Sequence, residues 1–215
     1  MSKLVNSEEI KDVFADGQTV MVAGFLEVGS PDRLIELLLE SGAEDLTLIT
    51  NDTGFTEGTV GSLISQKRVK KAICCHIGTN EDSGKQYNSG ELEVELIPQG
   101  TLIEQIRAAG AGLGGVLTPV GIGTEAAEGE RIIEVEGEEH ILAKPLSADV
   151  ALIKGCKADE KGNLIHRKAA RNYNPIVAMA GDRVIAEAED IVSAGEIDPD
   201  EVMTPGIFVD HLLEE

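Results

Sequence analysis

Asp16-Gly17-Gln18-Thr19-Val20-Met21-Val22-Ala23-Gly24-Phe25-Leu26-Glu27-Val28-Gly29-Ser30-Pro31 decides the fold class of this chain. Asp-Gly is a turn signal, because glycine reaches backbone angles that a tight reversal needs. Residues 19–23 then form a short apolar run bounded by turn residues, which reads as a buried strand. Residues 24–30 form a glycine-bearing loop. Ser30-Pro31 reads as a helix opening, with Ser as cap and Pro at the first position, where a missing N–H does no harm. Leu34, Ile35, Leu37 and Leu38 fill that helix, and Gly42 stands just past its predicted end.

The same grammar extends in both directions. Upstream, Ser7-Glu8-Glu9 opens a helix with acids near the positive end of its dipole, and Ile10, Val13 and Phe14 give it an apolar face. Downstream, residues 46–50 and 69–77 read as strands. Leu92, Val94 and Leu96 alternate with Glu91, Glu93 and Glu95, the pattern of a strand with one wet face. Thr101-x-x-Glu104 is a capping-box signal ahead of Leu102, Ile103 and Ile106. Residues 131–144 read as a β-hairpin turning at Gly137, and residues 150–153 and 184–188 as later strands. Strands alternating with helices predict a three-layer α/β domain: an open, mostly parallel sheet with helices on both faces, plus a small β-hairpin region. The length suits one such domain over residues 1–215.

Composition narrows the function classes. The formal net charge is −21, which repels nucleic acid and sets that partner aside. Apolar residues make up 42% and charged residues 27%, ordinary for a folded globular chain. No apolar run reaches the roughly 18 residues of a membrane-spanning helix, so no membrane association is expected. The N-terminal Met-Ser-Lys-Leu-Val-Asn-Ser-Glu-Glu has no apolar core of a secretion signal, and a cytoplasmic location is expected. Cys74, Cys75 and Cys156 form no Cys-x-x-Cys. They read as structural thiols in a reducing compartment, and no metal site is expected.

Parallel sheets bind ligands beyond the carboxyl ends of their strands, so candidate residues are sought there. The loop holding Gly24, Phe25 and Gly29 can bring backbone close to a ligand, although a plain strand-to-helix turn has the same spacing. Asn51 and Gln99 end two other strands. Both offer neutral amide donors able to hold a carboxylate or thioester oxygen, and both also suit turn or capping roles. His76 follows the third strand without an accompanying acid, metal ligand or serine motif and reads as structural. Gly110-x-Gly112-x-x-Gly115 matches a dinucleotide-binding fingerprint, but it follows a helix and opens none, so nicotinamide cofactors are not expected. His166-Arg167-Lys168-Ala169-Ala170-Arg171 is the densest basic patch, a candidate for phosphate or carboxylate contact or simply a solvated loop.

The opening segment closely resembles the first signature of the family I CoA-transferases, with Ala23 in place of the first glycine of the usual Gly-Gly-Phe. The likeness continues through Leu46-Thr47-Leu48-Ile49-Thr50-Asn51-Asp52-Thr53, His76-Ile77-Gly78-Thr79-Asn80 and Pro98-Gln99-Gly100-Thr101-Leu102-Ile103-Glu104-Gln105-Ile106-Arg107. Gly112-Leu113-Gly114-Gly115, Ala148-Asp149-Val150-Ala151-Leu152-Ile153 and Ala170-Arg171-Asn172-Tyr173-Asn174-Pro175 extend it over almost the whole chain.

The resemblance is to alpha subunits of acetate, butyrate and acetoacetate CoA-transferases. It implies ping-pong transfer of CoA from a short-chain acyl-CoA to a short-chain carboxylate through a glutamyl-CoA thioester. In that family the glutamate lies in a Glu-Asn-Gly context on a beta subunit, and no Glu-Asn-Gly occurs here. The resemblance therefore implies a beta-subunit partner, a heterotetramer, no permanently bound cofactor, and coenzyme A as substrate. It places Asn51, Gln99 and Gly100 in the acyl and oxyanion pocket and Gly24, Phe25 and Gly29 on a ligand-facing loop, with Gly78, Asn80 and Arg171 as further candidates. Two other readings stand beside it. One is a non-catalytic ligand-sensing domain. The other is a sugar-phosphate isomerase of related fold, which needs an acid–base carboxylate and a phosphate loop of its own.

Overall fold

The computed structural model describes residues 2–214. In chain order the first half holds β1 (Leu4–Val5), α1 (Ser7–Lys11), β2 (Thr19–Val22), α2 (Asp32–Ser41), β3 (Leu46–Ile49), α3 (Thr59–Ser65), β4 (Val69–Cys74), α4 (Glu81–Ser89), β5 (Glu93–Leu96) and α5 (Gln99–Gly110). The second half holds β6 (Val116–Thr118), β7 (Ile132–Val135), β8 (Glu138–Ala143), β9 (Ala148–Gly155), β10 (Lys157–Asp159), β11 (Leu164–Ile165), α6 (Asn174–Val177), β12 (Gly181–Ala188), β13 (Ile191–Val192) and β14 (His211–Leu213).

Eight strands form one sheet in the order β1-β14-β12-β9-β2-β3-β4-β5, every pair parallel. From β2 the chain winds outward through β3, β4 and β5. It then returns to lay β9 against the other side of β2 and winds the opposite way. That reversal, between β2 and β9, is where an open parallel sheet has its ligand crevice.

Alternation along the strands fills two separate cores. Val20, Val22, Leu48, Val150 and Leu152 pack with Ile10, Leu34, Leu37 and Leu63 of α1, α2 and α3 on one face. Met21, Ala23, Ile49, Ala151 and Ile153 pack with Leu102, Ile106 and Val177 of α5 and α6 on the other. Each fully buried aliphatic side chain contributes about 1.5–3 kcal/mol, so strand ends between two such cores are held stiffly.

Several boundaries differ from the sequence expectation. Helix α2 starts at Asp32, with Pro31 as a cap residue that offers no side-chain bond, so Ser30 is not the cap. The donor of Leu34 is instead satisfied by Glu187 Oε2 from β12, at 3.0 Å. Helix α5 starts at Gln99, which places Thr101 inside the first turn, where its buried hydroxyl finds no partner. No capping box forms there, because the helix begins two residues too early for one. At the other end of the chain Asn6, not Ser7, caps α1 and forms a capping box with Glu9. The strand expected over residues 69–77, β4, is shorter and ends at Cys74. The hairpin stands as expected: β7 and β8 pair antiparallel around Glu136-Gly137, both at positive φ, and β6 adds a third strand. Gly115 leads into β6, not into a helix.

Candidate active site

Three loops meet at the carboxyl edge of β2, β3 and β4, and one carboxylate ties two of them together. Asp52, 4% exposed, follows β3. Its Oδ1 accepts the Gly54 N–H at 2.9 Å, and its Oδ2 accepts the Leu26 N–H of the β2 loop at 2.9 Å and the Asn51 Nδ2 at 2.6 Å. Asn51 is 2% exposed. Its Oδ1 in turn accepts the Gln99 Nε2 at 2.9 Å and the Cys75 thiol at 3.1 Å. Gln99 itself is exposed, at the first position of α5. The second Nε2 hydrogen and Oε1 remain beyond its bond to Asn51. The Tyr173 hydroxyl lies buried beside this amide without a well-formed hydrogen bond, and burial holds its pKa above the ordinary range.

The β2 loop is an unusual backbone. Gly24, Leu26, Glu27 and Gly29 all have positive φ, and Phe25 and Val28 exchange backbone bonds to close the turn. Leu26 and Glu27 are costly there, since Cβ crowds the backbone in that region. The loop is held from outside: Asn174 Nδ2 donates to the Gly29 carbonyl at 2.9 Å, and Asn172 Nδ2 to the Val28 carbonyl at 2.8 Å. Asn174 Oδ1 accepts the Lys154 N–H at 2.7 Å, which anchors the loop to the end of β9. Beneath it, Lys154 Nζ bridges Asp32 and Glu187, both at 3.1 Å. Burial pulls the Lys154 ammonium down, and the two carboxylates more than reverse it. Burial raises the Glu187 carboxyl despite the Leu34 amide and Lys154.

The sequence candidates separate into two groups. Gln99 and Gly100 are exposed at the start of α5, and Phe25 is exposed in the β2 loop. Asn51 lies beneath Gln99 as its support. Asn80, 1% exposed, caps α4 through Oδ1 and holds the Thr53 carbonyl through Nδ2. Gly78 lies under the His76 ring. Gly29 packs so tightly that a Cβ would come within 2.9 Å of Ala170 Cα. Gly24 is buried, and a Cβ there would meet Ser30 Oγ at 2.4 Å.

The basic patch also divides. His166 is 3% exposed and bonds Lys154 O and Thr204 Oγ1, with burial lowering its pKa. Arg167, Lys168 and Arg171 are exposed beside the loop that holds Gly29. Asp52, Cys75, Lys154, Asn174 and Glu187 escaped the sequence reading as site residues, since each alone looks like a turn, core or surface residue. Cys75 does not read as a nucleophile: burial, then Asp52, raises its pKa, and the thiol donates to Asn51. Burial pushes Cys74 up to about 12. Among the described residues no three His, Cys, Asp or Glu side chains converge as a metal site. Nor is any helix long and apolar enough to cross a membrane.

The coenzyme A transferase family model matches residues 6–215. The acetate CoA-transferase subunit alpha of Escherichia coli K12 is 49% identical over 212 residues, covering 99% of this chain and 96% of that one. The acetoacetyl-CoA:acetate/butyrate CoA transferase alpha subunit of Clostridium acetobutylicum is 46% identical over 214 residues, covering 100% and 98%. Among solved structures, an acyl-CoA transferase of Escherichia coli O157:H7, seen as a thioester complex with CoA, superposes with a TM-score of 0.87 at 20% identity. The chain is covered entirely and spans 47% of that enzyme, about half its length. Glutaconate coenzyme A-transferase of Acidaminococcus fermentans also gives 0.87, at 21% identity, covering 99% of this chain and 75% of that one. At such identities these two likenesses show the fold.

Proposed function

The chain belongs to the coenzyme A transferase family, and from that premise we propose that it is the alpha subunit of a heteromeric CoA-transferase. The enzyme moves CoA between a short-chain acyl-CoA, such as acetoacetyl-, butyryl- or acetyl-CoA, and a short-chain carboxylate. The observation that carries the reading is the exposed Gln99 amide, held over buried Asn51 at the carboxyl edge of a parallel sheet. The relatives are transferases over nearly their whole length, which does not favour a sensor domain or a sugar-phosphate isomerase.

In the proposed mechanism a glutamate of the beta subunit attacks the acyl-CoA carbonyl. The C–S bond breaks, giving an acyl-glutamyl anhydride and CoA thiolate. The thiolate attacks the glutamyl carbonyl, releasing the first carboxylate and leaving a glutamyl-CoA thioester. The acceptor carboxylate reverses both steps. Each tetrahedral intermediate concentrates negative charge on oxygen, and a preorganised neutral donor such as the second N–H of Gln99 stabilises it. A cation in that place would also hold the anionic ground state. Exposed Arg167, Lys168 and Arg171 suit the phosphates of CoA and offset the charge of an acidic chain. Coenzyme A is then a substrate, and no resident cofactor or metal enters. A cytoplasmic heterotetramer completes the proposal.

Reconstitution tests it. Purified chain mixed with its beta subunit is expected to exchange CoA between acetoacetyl-CoA and acetate. A complex that assembles but transfers CoA to no short-chain carboxylate contradicts the proposal.

The β2 loop supplies a second expectation. Gly24→Val places side-chain atoms against Ser30 at a φ of +121°, so the loop shifts although both cores are untouched. Displacements near 1 Å at an active site cost roughly 10²-fold in rate. Turnover of the Gly24→Val complex should fall on that scale with Tm close to wild type, and retained turnover would count against the loop's role.

A further inference from the structure

We propose that Asp52 is the positioning residue of this active site, setting through Asn51 the direction in which Gln99 presents its amide. The inference rests on the transferase reading with Gln99 as the donor.

A primary amide has nearly the same shape in either orientation, so hydrogen-bonding partners decide which end is nitrogen. For Gln99 the partner is Asn51 Oδ1, and for Asn51 the deciding neighbour is Asp52. A carboxylate accepting from backbone N–H groups on both oxygens has no donor to offer. Only Asn51 Nδ2 suits Asp52 Oδ2, and Asn51 Oδ1 must then face outward. The Cys75 thiol lies 3.1 Å from the same Oδ1 but 2.8 Å from the Asn51 carbonyl, so the orientation is left to Asp52. Gln99 therefore turns Nε2 inward, and its position over the crevice follows from a buried carboxylate two residues removed in the chain of bonds.

The same carboxylate also takes the Leu26 N–H, in the strained part of the β2 loop. One side chain thus fixes both the loop and the amide that face the ligand. Asp52 has no cationic partner among the described residues, so its hydrogen bonds are all directed to these segments. Deleting it leaves Asn51 free to reverse and Leu26 without its acceptor.

A double-mutant cycle in the assembled enzyme separates positioning from general support. Asp52→Ala, Gln99→Ala and the double variant are compared for kcat, KM of the carboxylate and Tm. Asp52→Ala is expected to lower kcat on the scale of Gln99→Ala, with KM little changed. In the Gln99→Ala background its cost should be clearly smaller than in the wild type, because only the Leu26 tether then remains to be lost. Asp52→Asn, whose one oxygen can still serve Asn51 and Leu26, is expected to recover part of the loss. It also carries the same cycle if Asp52→Ala does not assemble. Losses that multiply in the double variant, or a loss of kcat in Asp52→Asn as large as in Asp52→Ala, overturn the proposal while leaving Gln99 in place. A Gln99→Ala enzyme with wild-type turnover overturns the reading of the site, and this proposal with it.

Discussion

Gln99→Ala in the assembled enzyme is expected to lower kcat by roughly 10²- to 10³-fold, the usual consequence of losing one preorganised donor from an oxyanion site. The side chain is exposed, bonds Asn51 and lies beside the Tyr173 hydroxyl, outside both apolar cores. Helix α5 keeps its seat through Leu102 and Ile106, both fully buried, and Asn51 keeps its bond to Asp52. Tm should therefore stay near wild type. Gln99→Glu sharpens the test: it preserves size, removes both N–H groups and sets a carboxylate where an anionic substrate and a partner carboxylate meet. It should be at least as damaging as alanine. Steady-state rates within about twofold of wild type for both variants would remove Gln99 from the oxyanion role, since no donor to developing charge is that dispensable. A loss confined to KM would instead make it a ground-state contact.

What the sequence disclosed follows the range of the forces involved. The unit of β2, its loop and α2 was legible because turn residues, an apolar run and helical spacing are all local. The two-sided sheet followed from unbroken apolar strands, and the hairpin from Gly137. Pairing order was not legible: nothing near residue 150 says that β9 lies beside β2, yet that neighbour creates the crevice. The start of α2 was misplaced for the same reason, its cap being a glutamate 153 residues away. Asn51 and Gln99 could be suspected as strand-end amides. That one supports the other across 48 residues, and that Asp52 orders both, appears only when strands β3 and β4 and the start of α5 are assembled.

The chain by itself is expected to transfer no CoA, and the covalent intermediate is expected to form on its partner. The reaction needs a carboxylate aimed at a thioester carbon within attack distance. The carboxylates around the strand ends of this chain are otherwise engaged. Asp52 accepts three hydrogen bonds with its two oxygens. Glu187 is held by the Leu34 amide and Lys154 beneath the loop. Asp32 is held by Thr59 and Lys154. Glu27 is the serious rival, because it sits in the β2 loop and its Oε1 has no hydrogen-bond partner. That oxygen is buried, however, against Gly58, where an added Cβ would coincide with it at 1.3 Å. Glu27 Oε1 is thus turned into the packing between the β2 loop and residues 54 and 58. On the proposed reading Gln99 and its supports supply a donor and no nucleophile, as the absence of Glu-Asn-Gly from the sequence leads one to expect. Assays of this chain alone with acetoacetyl-CoA and acetate should read background, and addition of the beta subunit should restore transfer. Incubating the complex with acyl-CoA, quenching in acid and mapping the peptides by mass spectrometry should then find the CoA adduct on a beta-subunit glutamate. Glu27→Gln should leave that adduct unchanged. An adduct on Glu27, or on any other glutamate of this chain, would move the chemistry here and refute the division of labour between the two subunits.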